Sequence, residues 1–242
     1  NRCISEAVHS KVPDMVRRPI CSVNPVVGNE LRWKAEYRPA PRAKKVLVVG
    51  ATGLLGRHVV QALAGTADVV TAARTDSMAD VDITVPDSIE AMYAKLGSVD
   101  AVICAAGMVP FAPWDQATGA YWAAGVASKL MGQVNLVRIG APFVSEGGSF
   151  TLTTGVLAQH PIPGSSIATT VNSAIEGFVR AAALEIGRGI RVNAVSPGWI
   201  AETMEAMGMD PTPGLPAAEA AKRFVEVLES ADNGVVVPAM RT

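Results

Sequence analysis

The stretch VLVVGATGLLGRHVV, residues 46–60, most constrains what this chain can fold into. Its first half is a continuous apolar run ending in glycine, the pattern of a strand buried on both faces. The run LLGRHVVQALAG then repeats apolar residues at helical spacing and stops at Gly65. Gly50, Gly53 and Gly56 lie at the turn between the two. A tight turn running straight into a helix lets a pyrophosphate approach the backbone and meet free N–H groups. Glycines alone would be a weak signal; glycines opening a strand–turn–helix unit are a strong one. The plain alternative is a tight turn that holds nothing.

The remaining sequence repeats the alternation. ADVVTAA predicts a second strand, and PDSIEAMYAKLG a helix with Pro86 and Asp87 in its first turn and Gly97 at its end. VDAVICAAG is another buried strand, followed by a long helical region over about 117–141. GGSFTLTTG, a helix over about 166–187, GIRVNAVSPG, the helix AAEAAKRFVEVLES and the strand GVVVPA complete the series. Alternating strands and helices predict an α/β fold: one doubly wound parallel sheet with right-handed crossovers and helices on both faces. Only residues 74–80 separate the second strand from VDIT. A helical crossover needs roughly 10–12 residues. One crossover helix is therefore expected to be missing, with a stub of strand at 81–83.

The chain divides by charge. Residues 1–45 hold ten Lys or Arg against four acids, whereas the whole chain of 242 residues carries −1. A basic arm over residues 1–44, with five prolines, thus precedes an acidic domain over residues 45–242. Trp33 and Tyr37 are its candidate anchors for docking the domain into a protein assembly; a solvated tail is the simpler reading. No basic patch interleaved with aromatic residues points to nucleic acid. No run of eighteen apolar residues points to a membrane span. Cys3, Cys21 and Cys104 are too scattered for a disulfide framework or a metal site. The chain begins with Asn1 rather than Met, which suits a precursor trimmed of an organelle-targeting segment.

Cofactor choice is decided at the end of the second strand, AARTDS. A carboxylate there accepts from a ribose 2′-hydroxyl, and an arginine pairs with a 2′-phosphate. Arg74 stands in that position and favours NADP(H); Asp76, two residues on, is the competing group.

The order VGATGLLG, VDIT, CAAG, EGGSFTLTTG, EGFVRAAALEIGRGIRVNAVSPGW resembles the short-chain dehydrogenase/reductase family over nearly all of residues 45–240. The resemblance implies a cofactor site built from Gly50, Gly53, Leu55 and Gly56 at the glycine loop, and Asp82 and Ile83 at the adenine. It places Ala105, Ala106 and Gly107 beside the ribose, and Pro197, Gly198 and Thr203 about the nicotinamide and phosphates. The family's reductases use a Tyr as proton donor and a Lys one helical turn later. A Ser polarises the carbonyl, and an Asn in the fourth helix supports a water relay. The motif IEGF aligns Ala168 with the Tyr and Asn172 with the Lys, and GGSF aligns Gly155 with the Ser; Lys129 falls at the Asn. All four differ.

Asn172 keeps the capacity to hydrogen-bond a ribose. Thr154, Ser165, Ser166, Thr169 and Thr170 are candidate hydroxyls near the helix start, and His160 in QHPIPG is a candidate titrating group. Lys129 is either a group that reaches the cofactor or a solvated helix residue. Tyr121 fits a packing or rim role. The function that follows is an NADP(H)-binding accessory or weakly active oxidoreductase. The alternatives are a carbonyl reductase with a non-standard proton donor, and a nicotinamide redox sensor.

Overall fold

Strand β1, Lys45–Val49, sets the layering of the molecule. Val46 and Val48 join Val59, Leu63, Phe224 and Val227 on one face of the sheet. Leu47 and Val49 join Ile89, Tyr93, Phe150 and Val171 on the other. Successive side chains of a strand point to opposite faces, so four consecutive apolar residues seal two cores at once. The computed structural model describes residues 43–241. The basic arm up to residue 42, with Trp33, Tyr37, Cys3 and Cys21, lies outside the described residues.

Six further strands run parallel to β1: β2 (Asp68–Ala73), β3 (Ala79–Asp80), β4 (Val99–Cys104), β5 (Val144–Thr153), β6 (Arg191–Pro197) and β7 (Val236–Ala239). Their order is β3-β2-β1-β4-β5-β6-β7. The winding reverses between β1 and β4, and such a switch point opens a crevice at the carboxyl ends of the strands. Helices α1 (Leu54–Leu63) and, near the C-terminus, α7 (Ala217–Glu229) cover one face. The other face is covered by α2 (Pro86–Leu96), α4 (Gly132–Gly140) and α5 (Ser166–Glu185). Two short helices, α3 (Gly119–Gly125) and α6 (Ala201–Ala206), stand at the carboxyl end of the sheet. This is the single doubly wound domain the alternation predicts. No helix among the described residues is long and apolar enough to cross a membrane.

No helix joins β2 to β3, as the short connection requires. The strand stub, however, sits at Ala79–Asp80 and not at 81–83. A serine accounts for the shift. Ser77 Oγ accepts from the Ala73 N–H at 2.9 Å and donates to the Ala79 carbonyl at 2.8 Å. The chain is thereby folded back within a few residues, and pairing starts at once. Asp82 falls beyond the strand, where its Oδ1 accepts from the Thr84 N–H and hydroxyl at 2.9 and 2.7 Å. Those two donors hold its carboxyl below the usual carboxylate range.

The long helical region is interrupted. Between α3 and α4, residues Val126–Met131 form a π-helical turn. Such wide turns commonly mark functional sites, because the extra residue turns the side chains that follow onto a different face. This one carries Lys129.

Candidate functional site

The glycine loop is shaped by what cannot fit there. Gly50 has φ +84°, and a Cβ on it would lie 2.8 Å from the carbonyl carbon of Ala105. The turn after β1 and the turn after β4 are therefore pressed together, backbone against backbone. Gly56, one turn into α1, is packed the same way against Gly50. Helix α1 starts at Leu54 without a side-chain cap and without an acid in its first turn. Its leading N–H groups, which lack intrahelical partners, face the loop with no anion of the protein's own to satisfy them.

A cleft of about 490 Å³ opens above this loop. Its lining includes Gly50, Gly53, Arg74, Asp82, Ile83, Ala105, Ala106 and Gly107. A second cleft, of about 380 Å³, shares Gly107 with the first and continues over the ends of β5 and β6. Leu55, Asn172, Pro197, Gly198 and Thr203 line that one. The fold thus brings every residue of the expected cofactor site to one of two adjoining clefts, except Gly56, which serves the packing beneath them. Arg74 is exposed on the wall of the first cleft beside Thr75. Asp76 takes a left-handed backbone, φ 57°, and does not line the cleft. The walls fit an elongated dinucleotide: small residues where backbone must approach, free N–H groups at a helix start, and a guanidinium at the far end.

The second cleft is mostly apolar. Val109, Phe111, Leu157, Trp199 and Ile200 form its sides, and the rings of Phe111 and Trp199 stand 6.4 Å apart. The segment after β6 is tied down more firmly than a Met- and Pro-rich loop suggests. Leu215 donates to the Trp199 carbonyl, and Ala201 to the Leu215 carbonyl, at 2.8 and 3.0 Å. The Glu202 carboxylate on α6 accepts from the Ala217 N–H at 3.0 Å and so caps α7.

The floor of this cleft is polar. Lys129 Nζ donates to the Thr154 carbonyl at 2.9 Å and to Asn172 Oδ1 at 2.8 Å. It is held there, not solvated on the helix. Burial pushes its ammonium down to about 8. Gly107 makes the passage: a Cβ there would lie 2.9 Å from both Cα and Cγ of Lys129. Gly155 is likewise closed off, since its Cβ would meet Asn172 Nδ2 at 2.9 Å. Ala168 lines the cleft and is buried.

Of the candidate hydroxyls Thr154 alone lines the cleft, and its hydroxyl is taken up within the protein. Thr154 Oγ1 donates to the Asn172 carbonyl at 3.1 Å and stands 3.3 Å from Glu176 Oε1. Ser165 Oγ donates to the Ile162 carbonyl at 2.6 Å, and Thr170 Oγ1 to the Ser166 carbonyl at 2.9 Å. Neither Ser165, Ser166, Thr169, Thr170 nor Tyr121 lines the cleft. His160 is exposed and does not line the second cleft but a neighbouring hollow that meets it at Val156, with Ser196, Pro238 and Met240.

Two residues gain importance that the sequence alone did not signal. Gln133 is fully buried and clamps the end of β5, donating to the Thr153 carbonyl at 2.9 Å and accepting from its N–H at 2.8 Å. Glu176 accepts from Gln159 Nε2 at 2.7 Å on both oxygens, behind Thr154. Both fix the backbone that holds Lys129. A glutamine in GQVNL and a glutamate in AIEGF, each on the apolar stripe of a helix, were the available signals.

A family model described as enoyl-(acyl carrier protein) reductase matches residues 45–233. The structure superposes on the crystal structure of the protein lin1944 from Listeria innocua with a TM-score of 0.78 and 38% identity, covering 81% of this chain and 99% of that one. A small-chain dehydrogenase crystallised in complex with NADPH matches with a TM-score of 0.72 and 24% identity, over 81% of this chain and 96% of the other. Hydroxynaphthalene reductase arp2 of Aspergillus fumigatus is 27% identical over 128 residues, 51% of this chain and 47% of that protein. The chain thus spans about half the length of that curated relative. It belongs to the short-chain dehydrogenase/reductase family, whose members bind nicotinamide cofactors.

Proposed function

We propose that the protein is an NADP(H)-binding member of this oxidoreductase family in which the Tyr-based proton relay is replaced. The observation that carries the reading is the pair of adjoining clefts: one walled by Arg74 and the glycine loop, the other floored by Lys129 and Asn172 where the family pattern expects other groups. Arg74 supports the phosphate-bearing cofactor because a guanidinium binds a dianion with two parallel hydrogen bonds. The fold neighbour that holds NADPH supports the same choice. When bound, the cofactor supplies hydride chemistry. The chain's own residues grip its phosphates, orient its rings and exclude water with Phe111 and Trp199.

The parent protein is expected to bind NADPH about 10- to 100-fold more tightly than NADH, what a net charge-assisted contact of about 1.5–3 kcal/mol at this exposed guanidinium supplies. Arg74→Ala removes that preference and leaves NADH affinity unchanged. Fluorescence titration of both cofactors against both proteins decides it. Equal affinities in the parent, or an undiminished preference in the variant, would overturn the assignment.

A further inference from the structure

We infer that Lys129 is the acid–base group of the second cleft, giving a proton to the carbonyl oxygen of a small apolar aldehyde or ketone. This rests on the reading above that the adjoining cleft takes NADP(H). Among the described residues lining the second cleft, Lys129 is the one ionisable side chain. Two of its three N–H donors are fixed by Thr154 and Asn172. Both partners are neutral acceptors, so the ammonium keeps its full charge and one N–H for a ligand. The π-helical turn and the bare backbone of Gly107 are what bring it inward.

The groups on the elements packed around it suit this role. From β4, the Cys104 thiol is pushed up to about 12 by burial, so it is neutral beside the ammonium. From α5, Glu176 is turned toward Thr154 and Gln159. With Lys129 brought down to about 8, it is charged at neutral pH yet acidic enough to release its proton. The walls of Val109, Phe111, Leu157 and Trp199 select an uncharged, apolar body. In the balanced step the carbonyl carbon accepts a hydride from NADPH, and the π pair moves to oxygen. That oxygen takes a proton from Lys129 Nζ, and the neutral amine recovers one from water.

The test uses the whole chain with NADPH and 4-nitrobenzaldehyde, enzyme in excess, so that slow single turnovers are read. The rate is expected to fall tenfold per pH unit above about 8. Lys129→Met should lose about 10²-fold or more. Lys129→Arg should lose as much, because a guanidinium keeps the charge but yields no proton near neutrality. Rescue by arginine would show a merely electrostatic or structural role and overturn the inference. So would a flat pH profile, or no NADPH oxidation by a parent protein that binds NADPH. A second readout needs no cofactor: labelling of Lys129 by trinitrobenzenesulfonate, followed by mass spectrometry, should rise with a midpoint near 8. A midpoint near that of ordinary lysine, about 10.4, also overturns it. Failure of NADPH to bind the parent would instead strike the functional reading beneath.

Discussion

Steady-state reduction of ordinary ketones by the Lys129→Met protein, with NADPH saturating, is expected to run roughly 10²- to 10⁴-fold below that of a variant with the family's relay restored. That factor is what a well-placed general acid contributes. The site has a methyl group at Ala168, a hydrogen at Gly155 and an amide at Asn172. The one acid on its floor, Lys129, comes from the opposite helix and is held by Thr154 and Asn172. The restoring variant combines Ala168→Tyr, Asn172→Lys, Lys129→Asn and Gly155→Ser. The changes must be made together. A Cβ at residue 155 would press on Asn172 Nδ2 at 2.9 Å, and a new lysine at 172 would repel Lys129. A Lys129→Met rate within tenfold of a folded, NADPH-binding variant would sink the proposal that the relay is replaced.

How much of this was legible in the sequence follows from which interactions are local. The strands are buried on both faces, so their apolar runs are continuous, and β1 and β4 declare themselves. Helix α2 is punctuated by Pro86, Asp87 and Gly97, and the missing crossover follows from chain length alone. The start of β3 was not legible to the residue, because one serine hydroxyl decides where pairing begins. The cofactor loop could be read because its glycines fall together in one strand–turn–helix stretch, even though Gly50 answers to Ala105 beyond β4. Lys129 could not. The stretch SKLMGQVNL around it looks like an ordinary helix, and a lone lysine there is usually solvated. Only the π turn, the gap at Gly107 and acceptors from β5 and α5 reverse that, and these come from distant parts of the chain. His160 differs: near α5 in sequence, it lines the hollow next to the cleft and not the cleft itself.

Gly56→Ala is expected to destabilise the domain by about 3 kcal/mol, near the upper end of what overpacking costs. The added Cβ would strike the Gly50 carbonyl oxygen and lie 2.7 Å from its carbon and 3.0 Å from Ala51 Cα. All three atoms are backbone, and Gly50 itself cannot retreat. It already abuts Ala105 and Ala106, and its N–H donates to the Ala72 carbonyl at 2.8 Å. Helix α1 must therefore shift off the loop, which moves the N–H groups that face a bound pyrophosphate. NADPH affinity should accordingly fall by more than stability does, and the variant should melt roughly 6–12 °C lower. Gly177→Ala is the matched control, for it lies inside α5 and a Cβ there meets nothing within 4 Å. Relief of glycine's backbone entropy should make that variant about 0.5–1 kcal/mol more stable with cofactor binding unchanged. Urea denaturation and NADPH titration of the three proteins check both signs. A Gly56→Ala protein as stable as the parent would show that α1 can slide on the loop, and the tight glycine contact would then not be what fixes the cofactor cleft.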